Sequence, residues 1–275
     1  MTHTKNMLRN ERGVALLIVL MVTALLVALV FEFAYGTRVS LRAAVNFRDS
    51  QRAYFLARSG VNFAGALLSD NRKKKKWQDN LEQREWQVVP IVSSGDMELR
   101  VRWEDEGGKI SINSVYKDNE SYKRLSNLLE IRGINRDVLD RIIPTPTDKR
   151  NFNLITELHQ YMSDEEFLKI KDFVTVSNVP MVNINTASVE VLQSMGLSAG
   201  VAGMIADKVK REPFDNKTKI NDFSGMDTPT AGKLDVISDV FKVNSYATVG
   251  GYTKQVEAII TRNDAGFSIT YWRAL

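Results

Sequence analysis

Arg12-Gly13-Val14-Ala15-Leu16-Leu17-Ile18-Val19-Leu20 opens the stretch that decides the fold. From Val14 the chain continues for eighteen residues, 14–31, without a charged side chain. At about 1.5 Å per residue, such a run in a helix is long enough to cross a hydrocarbon core of about 30 Å. A short basic leader precedes it, with Lys5, Arg9 and Arg12 against the acid Glu11. The join is Gly13, which has no side chain to obstruct a peptidase. A secretory signal would carry its cleavage site behind the apolar segment, at small residues. This run ends instead in Phe31-Glu32-Phe33. Two readings follow: a plain N-terminal anchor, or a leader cut after Gly13 that leaves the helix on the mature chain. Both give a single anchor, and Gly13 with its neighbours favours the second.

The 275 residues leave room for one moderate domain or two small ones beside the anchor. Cysteine is absent, which excludes disulfides, thiolate metal sites and cysteine nucleophiles. The net charge of +4 is unevenly spread: residues 116–240 hold sixteen Lys/Arg against nineteen Asp/Glu, so the excess of positive charge lies outside them. Much of it sits in Arg72-Lys73-Lys74-Lys75-Lys76, read as a solvated loop or frayed helix end. The basic leader places the N-terminus on the cytoplasmic side of the membrane.

No proline occurs before Pro90, so nothing forces a helix to stop between residue 14 and about residue 68. Tyr54, Val61 and Leu68 recur at seven-residue intervals, with Ala57 and Ala64 on the same face. One long helix is expected, apolar in its first half and amphipathic in its second, ending near Ser69-Asp70-Asn71. Met97, Leu99, Val101 and Trp103 then alternate with charged residues, which predicts a strand. Asp105-Glu106-Gly107-Gly108 reads as a turn, and Ile110 and Ile112 alternate again. A weaker strand is expected near residues 86–92, at an edge because of Pro90.

Helical patterns fill residues 116–240 and carry a loose repeat. Leu129 and Gly133 followed by Ile134 share their spacing with Leu192 and Gly196 followed by Leu197. Leu158 and Met162 repeat it without the glycine, and Phe223-Ser224-Gly225-Met226 is a shorter echo. Each reads as a helix-hairpin-helix unit whose glycine permits a positive φ after a helix. Ser163-Asp164-Glu165-Glu166 has capping-box spacing, and Thr186 is a candidate N-cap. Beyond residue 240, Val256, Ala258 and Ile260 and then Phe267, Ile269 and Tyr271 alternate about the turn signal Asn263-Asp264-Ala265-Gly266. Strands on both sides of a helical block predict one α+β sheet structure interrupted by an inserted all-α segment.

The junction from Arg12 to Leu20 resembles the class III leader junction of type IV pilins and pseudopilins. Within that group the chain resembles the minor pseudopilin K family of type II secretion systems. The motifs Asp105-Glu106-Gly107-Gly108-Lys109-Ile110 and Asn183-Ile184-Asn185-Thr186-Ala187-Ser188 are similar to the motifs that flank that family's helical insertion. The resemblance implies a pilin fold with an inserted helix-hairpin-helix-like domain. The division it implies is a leader 1–13, a pilin helix 14–70 with 14–31 in the membrane, a first part of the sheet 71–115, an insertion 116–240 and C-terminal strands 241–275. It also implies cleavage by a prepilin peptidase between Gly13 and Val14 and N-methylation of Val14. Most pilins carry a glutamate at the position of Ile18, and its absence marks the K subfamily. An unpaired carboxylate there would cost about 2.5–3.5 kcal/mol in a membrane helix. Isoleucine suits a first or tip subunit, which has no predecessor whose amine could pair with a glutamate.

The implied role is a tip subunit of the pseudopilus, in the inner membrane with a periplasmic body. Its implied partners are the I, J and H minor pseudopilins, the major pseudopilin, the prepilin peptidase and membrane lipid. A minor pilin of a type IV pilus shares the leader chemistry and is the nearest alternative. A membrane-anchored helix-hairpin-helix DNA receptor is a second. Its phosphate-binding hairpin needs glycine, an apolar residue and glycine, whereas Gly133-Ile134-Asn135 and Gly196-Leu197-Ser198 each lack the second glycine. The acidic balance of residues 116–240 also disfavours phosphates, so no nucleic acid is expected. No catalytic constellation is found: the two histidines are His3 in the leader and His159, and neither a nucleophile elbow nor a phosphate loop is present. No cofactor is expected, although some K pseudopilins bind calcium in the insertion. Asp118, Asn119 and Glu120, or Asp222 and Asp227, are oxygen-rich but lack the alternating spacing of a calcium loop, and no ligand is assigned.

Overall fold

The computed structural model describes residues 11–73, 79, 87–89, 96–115, 119–143 and 151–275. The leader up to residue 10, the lysines at 74–76, Pro90, Asp118 and the stretch Pro144-Thr145-Pro146-Thr147 lie outside these residues. The elements begin with α1 (Glu11–Lys73), β1 (Gln87–Val88), β2 (Met97–Asp105), β3 (Ile110–Ser111), α2 (Asn119–Ile131), α3 (Asp137–Ile142), α4 (Asp164–Ile170), β4 (Val174–Thr175) and β5 (Val182–Asn183). They continue with α5 (Val189–Ser194), α6 (Ala199–Arg211), α7 (Lys217–Asn221), α8 (Thr228–Ala231), β6 (Leu234–Asp235), β7 (Val240–Val249), β8 (Tyr252–Arg262) and β9 (Phe267–Ala274).

The chain forms two compact units, Met1–Arg52 and Ala53–Leu275. In the first, every residue of the apolar run 14–31 is exposed. Helix α1 starts three residues before Val14 and ends at Lys73, slightly beyond the expected stop. In the second unit its face of Ala53, Ala57, Val61, Ala64 and Leu68 is fully buried, as the seven-residue spacing requires.

That face packs on a five-stranded antiparallel sheet of order β1-β2-β7-β8-β9. Leu99, Val101 and Trp103 come from β2, Phe241, Val243 and Ala247 from β7, and Val256, Ala258 and Ile260 from β8. Burying each large aliphatic or aromatic side chain of this kind contributes about 1.5–3 kcal/mol. The strand expected at Met97–Trp103 is present, with its odd-numbered residues turned to the helix. The expected β8–β9 hairpin closes through Asn263, whose N donates to the Gly266 carbonyl at 2.8 Å. Strand β1 is a two-residue edge.

A second apolar core lies between β2 and β7 in sequence, from Ile110 to Val236. Helices α2 and α5 pack together within it. The α2–α3 and α5–α6 connections are two of the four expected hairpins, those that pair a leucine with a glycine, with Gly133 at φ 65° and Gly196 at φ 107°. In each, the residue after the glycine donates its N–H to the carbonyl of the leucine five positions back, Ile134 to Leu129 at 2.8 Å and Leu197 to Leu192 at 3.4 Å. Ser163 caps α4 in a complete capping box with Glu166. Two expectations are corrected. Ile110 and Ile112 do not continue the sheet, because β3 pairs in parallel with β4 and Ile112 opens a 3-10 turn. Thr186 does not cap α5, whose N-cap is Ser188, accepting from Val191 N at 3.2 Å.

Candidate functional site: an exposed apolar helix and a buried joint

Gly13 and Val14 occupy the first turn of α1, since the helix begins at Glu11. Val14 and Ile18 are 62% and 56% exposed among the described residues. Among the described residues, one helix is long and apolar enough to cross a membrane, and this is it. An exposed run of eighteen uncharged residues, all apolar but Thr23, is unstable in water, so this surface belongs against lipid or other apolar helices.

The joint lies where the chain leaves the sheet for the helices and returns. Asp105, at the end of β2, is 4% exposed. Its Oδ2 accepts from Thr186 Oγ1 at 2.6 Å and from Asn183 Nδ2 at 2.7 Å, and its Oδ1 accepts from Gly107 N at 2.6 Å. Burial pushes this carboxyl above its ordinary pKa, and the donors from Ser238, Thr186, Gly107 and Asn183 offset only part of that rise. Asn183 N donates to the Gly107 carbonyl at 2.9 Å. The two segments of the joint approach so closely at Gly108 that a Cβ there would lie 2.7 Å from the Thr186 backbone. Asn185 completes the motif, holding Phe214 through both its amide groups at 2.8 and 2.9 Å. The motifs at 105–110 and 183–188 therefore meet, with Asn183 and Thr186 sharing Asp105 Oδ2 and Asn185 holding Phe214.

Arg262 of β8 is the other centre of the joint. Its side chain is fully buried. Nε donates to the Ser238 carbonyl and Nη1 to the Leu68 carbonyl, each at 2.9 Å, and Nη2 pairs with the Asp79 carboxylate. Asp79 also accepts from Ser238 N at 2.9 Å, and its carbonyl accepts from Asn183 Nδ2 at 3.0 Å. One guanidinium thus ties α1, β8, the segment returning to β7 and Asp79. Burial lowers its pKa, and the Asp79 charge opposes that fall. Sequence reading missed Arg262 and Asp79. A lone arginine in an alternating strand gives no signal when its partner lies 183 residues away.

The remaining candidates are placed plainly. Glu120 pairs with Lys233 at 2.6 Å, and Asp227 caps α8 by accepting from Thr230 N at 2.6 Å. Asp222 closes α7. Among the described residues, no three His, Asp or Glu side chains stand together as a metal set. His159 is half exposed, with Nδ1 2.9 Å from Asp164 and its ring against Phe167. Ile134 and Leu197 of the hairpins point into the core, at 5% and 6% exposure.

No family model matches the chain. It is 24% identical, over a 309-residue alignment covering 94% of this chain and 91% of the other, to the type II secretion system protein K of Pseudomonas aeruginosa. It also superposes with a TM-score of 0.65 on a chain of the crystal structure of the GspK–GspI–GspJ complex from the enterotoxigenic Escherichia coli type 2 secretion system. That match has 16% identity and covers 84% of this chain and 98% of the other. The long apolar helix and antiparallel sheet are those of the pilin fold.

Proposed function

We propose that this member of the family of type II secretion system protein K is a minor pseudopilin. In this reading it sits at the periplasmic tip of the pseudopilus, helps to start its assembly and so supports protein export across the outer membrane. The observation that carries the reading is one helix that is bare and apolar over residues 14–31 and packed on a sheet beyond residue 53, within a relationship that spans nearly the whole chain. The helix would hold the protein in the inner membrane, with the leader cytoplasmic and the sheet and helices periplasmic. Its partners would be the I, J and H minor pseudopilins and the major pseudopilin. The first two are supported by the complex in which the structural neighbour was solved. The reading keeps the chain divisions at 13, 70, 115 and 240 and assigns binding rather than chemical turnover to the body.

Prepilin peptidase would cut between Gly13 and Val14, and Val14 would then be N-methylated. A substrate bond inside the first helical turn has to unwind before it can lie extended in a protease, and glycine eases that. Replacing Gly13 with leucine is expected to leave an uncut membrane-held precursor and to stop secretion. Normal processing, read from the mass of the N-terminal peptide, would overturn the cleavage assignment. Ile18→Glu tests the tip position. A first subunit offers the new carboxylate no amine, which costs about 2.5–3.5 kcal/mol in the membrane. Processing should stay intact while secretion and recovery of the tip complex fall. An unchanged yield of both would count against a starting position.

A further inference from the structure

Helix α1 carries a one-sided arrangement just past its apolar run. Phe31, Tyr35, Arg38 and Arg42 stand at i, i+4, i+7 and i+11. At about 100° per residue they share an arc of about 60°. Phe31 and Tyr35 are each 71% exposed, and both arginines are exposed. Glu32 lies about 120° around the helix from Arg38. The arginines further along differ in their pairing: Arg48 is held by Asp49 at 2.9 Å, whereas Arg38 and Arg42 make no ion pair among the described residues.

The heights fit a bilayer surface. Arg38 is about 10 Å and Arg42 about 16 Å beyond Phe31 along the axis. Helical Cα–Cβ bonds lean toward the N-terminus, so both side chains are directed back toward the apolar run. The headgroup layer extends about 5–8 Å past the hydrocarbon on each side, within reach of a snorkelling arginine. Aromatic side chains favour the level just below it. A guanidinium matches a phosphate by paired, charge-assisted hydrogen bonds.

We propose that the face of Phe31, Tyr35, Arg38 and Arg42 is a lipid-phosphate site. It binds the phosphodiester headgroups of anionic phospholipids on the side of the membrane that holds the body, and so sets the depth of the anchor. It leaves the opposite face, with Phe33 and Phe47, for neighbouring helices. An acidic partner helix would also call on the distal arginines. Arg48 is already neutralised within the chain, and Arg52, exposed and without an ion pair among the described residues, stands about 31 Å beyond Phe31 along the axis, outside the headgroup layer. The inference rests on residues 14–31 spanning a membrane.

The test uses the full chain reconstituted in bilayers of phosphatidylcholine with and without phosphatidylglycerol. The readout is the ratio of the two lipids retained after mild detergent washing. The wild type should enrich phosphatidylglycerol, with enrichment declining as salt is raised. Arg38→Gln with Arg42→Gln should reduce it by roughly tenfold or more, while Arg48→Gln should leave it within about twofold. Equal enrichment by the double variant would overturn the site. Displacement of the lipid by millimolar inorganic phosphate would also overturn it, making the ligand a free anion. Alkaline carbonate separates the two levels of failure: extraction of the wild type would remove the anchor reading itself, whereas a retained chain without arginine-dependent enrichment removes this proposal alone.

Discussion

Arg262 and Asp79 form a buried ion pair whose halves depend on each other. Removing one partner from such a pair costs about 3–5 kcal/mol, because the other charge stays buried without compensation. Arg262→Met should lower stability by about that amount, read as a shift of the denaturant midpoint of the detergent-solubilised chain. Asp105 gives a pH signature. Its folded pKa is raised by burial, so the folded state binds this proton more tightly than the unfolded state does. The ionised carboxylate therefore weighs against folding at neutral pH. That cost is relieved as pH falls from the raised folded value toward about 4, the value of a free aspartate. Asp105→Asn should flatten this part of the stability profile, and an unaltered slope would show that another group titrates. The motifs containing Asp105 and Thr186 stand out in the sequence, but their contact does not. The turn and N-cap readings are local, whereas the real bond joins residues 81 apart.

Among the elements, legibility follows periodicity. Helix α1 was readable because nothing interrupts it and its buried face keeps one spacing over four turns. Both hairpins were readable because glycine after a helix is a local requirement, met here at positive φ. Strand β7, the central strand of the sheet, was not singled out. Its inward series includes the polar Ser245, and the buried Asn244 beside it blurs the alternation. The Gly250-Gly251 pair between β7 and β8 was the available hairpin signal. Caps divide in the same way: Ser163 obeys a four-residue rule, whereas the choice between Thr186 and Ser188 was settled by what Asp105 takes. Ser188→Ala should therefore cost about 1 kcal/mol through α5 alone. Thr186→Val should cost more, by stripping a buried carboxylate of a donor. Chemical denaturation of the two variants side by side checks the order.

At the scale of the whole body, two apolar cores share one polar joint. Helix on sheet makes the first, from Ala57 to Ile260, and the helices between β2 and β7 make the second, from Ile110 to Val236. If the joint couples them, the intact body melts in one calorimetric transition, and Asp79→Ala separates it into two. A single transition in that variant would place the coupling elsewhere. The pattern of strands, helices and strands in the sequence outlines this arrangement, but which side chains weld the parts is settled only by three-dimensional proximity. The register adds a topological point. Asp105 lies directly opposite Phe241, and Glu106 N donates to the Val240 carbonyl at 3.0 Å. The two ends of the intervening segment are thus adjacent rungs of one ladder. Shortening that segment to a two-residue turn would turn β2 and β7 into a plain hairpin, and closing a loop costs only logarithmically in its length. The helical cargo is thus modular: ancestors could have gained or shed it, and engineers could exchange it, without re-threading a single strand.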